Sequence, residues 1–391
     1  MILTQCAVCA TELGLTLGKK CGRCSTRYCG AACQVQHWKE GGHDKLCKAI
    51  KKAGGAEVYN ANKKYTEVVA VAAEKCAEDT KGQTCYICTQ ALHWKTKEGL
   101  VRGCSCRGTA GFAHVSCLAE QAKILVAEAM ENNLGFEAFR QSFVRLSTCS
   151  LCKQDYHGVV ACALGWASWK TYVGRPETDA IRCMAMNQLG NGLYATGHYE
   201  DALSVREAEL SMVRRLGAPE KTILAAQSNL ASTYHSLGRK TEGLRMQAEA
   251  YSGCVQLYGD EDRETIREAS NYAMNLLDLR RFTEAKSLLR KVIPVARRVL
   301  TDSNEITLKM RWSYALSLYE DPDATLDDLN EAVTTLEDVG RIARRVLGGA
   351  NPLTVDIERA LRDARAALSA REGDDARSVC DGVATMTPGG A

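Results

Sequence analysis

From residue 156 onward, small and apolar residues recur at helical spacing, and the pattern itself repeats. The segments QLGNGLYATGHYEDAL (188–203), NLASTYHSLGRKTEGL (229–244) and NYAMNLLDLRRFTEAK (271–286) start 41 and 42 residues apart. A fourth copy begins near Ser313, with about five extra residues around Pro322. Within one unit Leu230, Ala231, Tyr234 and Leu237 share a helical face. Gly197 and Gly238 stand where the first helix of a unit should end. Ala202, Gly243 and Ala285 mark expected close contacts between helices. A linking element recurs too, with threonines at 222, 265, 307 and 354, spaced by 43, 42 and 47 residues; the last interval absorbs the same insertion. One helical hairpin cannot bury its own apolar face, so the pattern predicts stacked helical repeats over 158–368.

The first 150 residues lack this period. They predict a helical linker over 51–82, centred on AEVYNANKKYTEVVAVAAEKCAED (56–79), between two segments punctuated by cysteine. Fifteen of the 19 cysteines precede residue 153, and the remaining 239 residues hold four. The start lacks a basic stretch followed by an apolar run, so no signal peptide is expected. The longest apolar run, GVVACALGWASW (158–169), is too short for the roughly 20 residues that span a bilayer. These features predict a cytosolic or nuclear chain without membrane attachment, where so many cysteines point to metal rather than disulfides.

Two clusters carry the metal signal. The first runs Cys6-x2-Cys9, Cys21-x2-Cys24, Cys29-x3-Cys33 and His43-x3-Cys47; the second runs Cys85-x2-Cys88, Cys104-x-Cys106, His114-x2-Cys117 and Cys149-x2-Cys152. Each supplies eight soft or borderline ligands in four pairs, enough for two tetrahedral zinc ions, hence about four Zn(2+) per chain. Stretches this short cannot build a core alone, so metal would supply most of their folding free energy. Closed four-ligand sites leave no position for a reactive water, which predicts structural metal.

The first cluster, with "CAVC…CGRCSTRYCGAACQVQHWKEGGHDKLC", resembles a MYND zinc finger. The resemblance implies interleaved ligands: Cys6, Cys9, Cys29 and Cys33 on one zinc, Cys21, Cys24, His43 and Cys47 on the other. His37 is not at the matching ligand position. The family docks short proline-containing peptides, which makes Gln34 and Trp38 candidate groove residues. The order of the second cluster fits both PHD fingers and the RING-CH (variant RING) domain. "CYIC", "CSCRGTAGFAHVSCL" and "CSLCKQDY" resemble the latter. That implies Cys85, Cys88, His114 and Cys117 on one zinc and Cys104, Cys106, Cys149 and Cys152 on the second. Ile87 occupies the apolar position at which such ligases dock a ubiquitin-conjugating enzyme, and they act by proximity and orientation alone. Two departures stand out. Gln121 replaces the family's usual tryptophan, and the 31-residue spacer from Cys117 to Cys149 reads as a helical insertion.

The repeats resemble tetratricopeptide repeats in the 42-residue form of kinesin light chains, over about 200 residues. The resemblance implies a concave peptide-binding face, with Asn229 and Asn271 as candidate groove residues; helix bridging is the alternative role for both. His198 and His235 are expected to be solvated near helix ends. Cys162, Cys183 and Cys254 read as small core residues, Cys76 lies on the linker helix, and Cys380 lies in the tail.

Composition changes this picture little. The chain is 46% apolar and 25% charged with a formal charge of +3, and no concentrated basic face marks a nucleic-acid partner. No nucleophile–base pair or phosphate loop appears, and repeats fill the segment where a methyltransferase domain would have to lie. A methyl-lysine reader would need an aromatic cage, and the second finger offers few aromatics (Tyr86, Trp94, Phe112). The expected architecture is mainly α: two small zinc-stabilised fingers followed by a tetratricopeptide-like superhelix. Its parts are a MYND-type finger (1–50), a helical linker (51–82), a RING-CH-like finger with helical insertion (83–157), repeats (158–368) and a disordered tail (369–391). The expected function is a protein-interaction adaptor for peptide or protein partners. The alternative is a ubiquitin ligase that places a conjugating enzyme beside a substrate held by the repeats.

Overall fold

In the computed structural model the described residues are 6–384 apart from 10, 12 and 14–16, with side chains described as far as residue 373. They form two compact units, residues 1–237 and 238–391.

In the first unit, strands β1 (Lys19–Lys20) and β2 (Arg27–Tyr28) pair antiparallel, Lys19 opposite Tyr28. Helices α1 (Ala31–Lys39), α2 (His43–Lys52) and α3 (Ala56–Lys75) follow. An irregular, turn-rich segment leads to α4 (Val115–Glu131), α5 (Gly135–Phe143) and a short 3-10 turn, Val144–Leu146. The long spacer of the second cysteine cluster is therefore helical. Helices α6 (Gly158–Tyr172), α7 (Ala180–Ala195), α8 (Tyr199–Arg215) and α9 (Glu220–Ser236) complete the unit.

The core of this unit is built around α6. A helix apolar on all sides has no solvated face and must be buried, and every residue from Val160 to Trp169 is. The long apolar run is thus a core helix, packed on α3, α4 and α7. No helix among the described residues is long and apolar enough to cross a membrane. Two glycines set the α6–α7 spacing: a Cβ on Gly165 would lie 2.8 Å from the Gln188 carbonyl oxygen, and one on Gly192 2.8 Å from that of Ala161. The expected linker helix also does more than connect. Ala56, Ala61, Tyr65, Val69 and Ala72 of α3 are buried, and Arg182 of α7 reaches Glu57 at 3.1 Å.

The second unit contains α10 (Lys240–Tyr258), α11 (Arg263–Asp278), α12 (Phe282–Leu300), α13 (Glu305–Tyr319), α14 (Leu326–Val346) and α15 (Pro352–Ala384). Each helix packs on the next, around alternating Ala, Leu, Ile and Val. The repeated signals of the sequence acquire physical roles here. Asp262 and Asn304 cap α11 and α13 by accepting the N–H two residues on, as Asp179 does for α7. The recurring threonines Thr265 and Thr307 are buried and donate to carbonyls of the preceding helix, Cys254 and Ala296.

Three expectations need correction. The tail expected to be disordered from 369 continues α15 as far as Ala384: no proline interrupts SAREGDDARSVCDGVA, and its two glycines weaken a helix without breaking it. Residues 385–391 lie outside the described residues. His235 is half-buried rather than solvated, whereas His198 is exposed. Cys183 is half-buried, while Cys76, Cys162 and Cys254 are buried; the Cys380 side chain lies outside the described residues.

Candidate metal centres

Tight turns and helix starts bring the sixteen Cys and His side chains of the two clusters into four groups. These are Cys6, Cys9, Cys29 and Cys33; Cys21, Cys24, His43 and Cys47; Cys85, Cys88, His114 and Cys117; and Cys104, Cys106, Cys149 and Cys152. Within each group the donor atoms all lie within 4.8 Å of one another. The local geometry explains why. A Cys-x2-Cys turn points two sulfurs the same way, and a helix does so at i, i+3 or i, i+4. His43 and Cys47 share one turn of α2, and His114 and Cys117 meet at the start of α4.

The spacing of donor atoms tests whether metal fits. Around zinc with Zn–S near 2.3 Å, the edge of a tetrahedron is about 3.8 Å. Cys9, Cys29 and Cys33 sit 3.5–3.7 Å apart in sulfur–sulfur distance. Cys21 and Cys47 are 3.9 Å apart, and Cys106 and Cys149 3.7 Å. These distances are far above the roughly 2.05 Å of a disulfide. His43 turns Nε2 toward Cys24 at 3.4 Å, and His114 turns Nδ1 toward Cys88 and Cys117 at 3.3 and 3.6 Å.

Neighbouring groups prepare these donors. His114 directs its other nitrogen, Nε2, at the Ala91 carbonyl (3.3 Å), which fixes the ring for Nδ1 ligation. The Thr11 hydroxyl holds the Cys9 thiol down at about 6. The hydrogen bond with Cys104 pulls Cys149 down to about 4 and pushes Cys104 up in return. Thiolates of this kind are what a metal ion binds.

The other candidate residues lie at the edges of the fingers. Trp38, 45% exposed, and Gln34 stand four residues apart on α1 and share a face. Ile87 is half-buried at the tip of its turn, its N–H directed at the Cys85 sulfur. Gln121 is half-buried on α4. Asn229 lies on α9 and Asn271 on α11, both half-buried. His37 is outside the quartets. Its Nδ1 lies 3.0 Å from the buried Tyr28 hydroxyl and its ring 4.9 Å from that of His43.

Sequence reasoning missed the residues that anchor the second finger. Glu98 accepts the Ser116 N–H and hydroxyl at 2.7 and 2.8 Å, capping α4 from a distant loop. Tyr65 of α3 meets the same Ser116 hydroxyl at 2.9 Å, and Arg102 forms a bidentate pair with Asp79. No spacing in the sequence signals such long-range pairs.

Comparison with known proteins finds three family matches. Residues 6–47 match the MYND finger family, 85–133 the RING-variant domain and 222–298 the tetratricopeptide repeat. The RING-variant match ends before Cys149 and Cys152, which the fold nonetheless brings to Cys104 and Cys106. No curated protein matches the chain. Among solved structures, BtubC (BKLC) from P. vanneervenii is similar at 14% identity and a TM-score of 0.38, covering 71% of this chain and 95% of its own. A Podospora anserina putative kinesin light chain with nearly identical TPR-like repeats is similar at 18% identity and a TM-score of 0.36, covering 59% and 97%. The two finger matches and the four quartets fit about four zinc ions per chain.

Proposed function

We propose that this chain is a zinc-binding interaction adaptor whose two fingers and helical repeats each recognise a protein or peptide. The observation that carries this reading is the completeness of the four quartets: each offers four donors, leaving no coordination position for a substrate or water. In this reading Cys6, Cys9, Cys29 and Cys33 hold one zinc, and Cys21, Cys24, His43 and Cys47 a second. Cys85, Cys88, His114 and Cys117 hold a third, and Cys104, Cys106, Cys149 and Cys152 a fourth. The metal's contribution is to fix loops too short to fold by burial. The parts are a first finger (1–50), α3 as connecting helix (51–82), a second finger (83–157), the repeats (158–368) and the tail. A reducing cytoplasmic or nuclear compartment suits the thiols.

Peptide docking is assigned to the α1 face bearing Gln34 and Trp38, and to the repeats through Asn229 and Asn271. The test is binding of a panel of proline-containing peptides to the zinc-loaded chain. Trp38→Ala should weaken binding at least tenfold with zinc content unchanged. Equal binding by variant and wild type contradicts the assignment of that face.

The half-exposed Ile87, on a turn within the RING-variant match, favours a second reading: a ubiquitin ligase recruiting a conjugating enzyme there. Autoubiquitination with a panel of conjugating enzymes decides it. Transfer that is lost in Ile87→Ala supports the ligase; no transfer with any enzyme removes it and leaves the adaptor reading intact.

A further inference from the structure

Three turns beside the quartets share one backbone design. In Cys21–Thr26, Cys85–Gln90 and Cys149–Gln154, the first residue's N–H donates to the carbonyl five residues on, at 2.8, 3.0 and 2.9 Å. The fifth residue's N–H returns to the first carbonyl, at 2.9, 2.8 and 3.0 Å. That fifth residue, Ser25, Thr89 or Lys153, has φ of 61°, 61° or 59°.

A fourth copy of the design contains no cysteine. The His93 N–H donates to the Glu98 carbonyl at 3.0 Å, the Lys97 N–H returns to the His93 carbonyl at 2.8 Å, and Lys97 has φ of 59°. His93 and Thr96 stand where the other turns have their cysteines, and they close on each other. His93 Nδ1 accepts the Thr96 N–H at 3.1 Å and lies 2.8 Å from the Thr96 hydroxyl. This is a metal-type turn locked by hydrogen bonds alone, with the buried His93 ring edge-on to His114 at 5.3 Å.

Such a lock needs a use, and the turn's surface suggests one. It presents Trp94, 68% exposed, two residues after Leu92, 58% exposed. A large apolar side chain on a pinned backbone loses little entropy when a partner covers it. Leu92 also lines a groove of about 360 Å³ with Ala73 and Ala77 at the end of α3, Gly99 and Leu100. The turn's acid, Glu98, is committed to Ser116. Its free charges are the exposed Lys95 and Lys97, and Lys170 of α6 lies within electrostatic reach of Lys95. The α3 end is balanced, with Glu74, Glu78 and Asp79 against Lys75, Lys81 and Arg102, which pairs with Asp79.

We propose that residues 92–97 and the adjoining groove form a docking site for an acidic peptide segment carrying a bulky apolar side chain. Leu92 and Trp94 cover the anchor, while Lys95 and Lys97 face the flanking carboxylates. The probe is a fluorescent peptide, Asp-Glu-Asp-Leu-Phe-Asp-Glu-Asp, titrated with the full zinc-loaded chain and followed by anisotropy. Trp94→Ala and the pair Lys95→Glu, Lys97→Glu should each weaken binding at least tenfold with four zinc retained. Ile87→Ala should leave it unchanged, which separates this surface from the ligase reading. Lysines in place of the peptide's acids should abolish binding. The proposal is overturned if the acidic peptide does not bind, if acidic and basic peptides bind equally, or if both variants bind like wild type. Sedimentation showing a dimer that dissociates in Trp94→Ala would also overturn it, by giving the surface to a second copy of the chain.

Discussion

Gly197, Gly238 and Arg280 occupy the same place in successive repeats, and all three adopt positive φ, at 77°, 79° and 56°. The chain leaves each helix through a left-handed residue: the His198 N–H reaches back to the Leu193 carbonyl, as the Arg281 N–H does to Leu276. The two glycines announced this in the sequence. Arg280 did not, because no side chain marks a left-handed position. Gly238→Ala should therefore cost about 1 kcal/mol in urea unfolding, and Arg280→Gly should leave stability at or above wild type. Glu209 is a second residue that sequence alone could not place. Burial on α8 pushes its carboxyl up to about 7, despite a hydrogen bond with Asn187 and the nearby Arg206. A raised carboxyl favours the fold when protonated, so its contribution is present below the ordinary 4.5 and is lost as pH rises through 7. Glu209→Gln should melt a few degrees above wild type at pH 8, with the gap narrowing toward pH 5.5.

At the level of elements, the repeats were legible because their period follows from helix packing, and the Cys-x2-Cys turns because two ligands from one turn impose a spacing. Which pair joins which quartet was not readable from spacing; it came from family resemblance. The role of α3 was also hidden. Its buried stripe from Ala56 to Ala72 alternates with lysines and glutamates, and its partner α6 lies about a hundred residues away. The α6–α7 contact depends on glycine. Gly192→Ala places a methyl against backbone that cannot yield, and should cost about 2 kcal/mol in denaturant unfolding. The quartets should also differ in what they support. Cys117→Ser disturbs a site at the start of α4, which packs on α6, so it should lower both zinc content and melting temperature. Cys9→Ser, in an exposed position, should lower zinc content while leaving helical melting near wild type.

Across the whole molecule, metal and hydrophobic burial divide the labour. Among the described residues, the core of the second unit is mostly Leu, Ala, Ile and Val with no quartet in it, whereas all four quartets lie in the first unit. Strong chelation should therefore unfold the fingers and leave most of the helical circular dichroism in place. The density of cysteines before residue 153 pointed to where the metal would lie. It did not predict that α4 of the second finger would pack on α6 and bond to Tyr65 of α3, because those contacts rest on side chains scattered over the first 172 residues. The account stands or falls on the metal, and native mass spectrometry of the purified chain counts it directly. Four bound zinc ions per chain, all displaced together with finger structure by a chelator, is the predicted result. Two or fewer would contradict it.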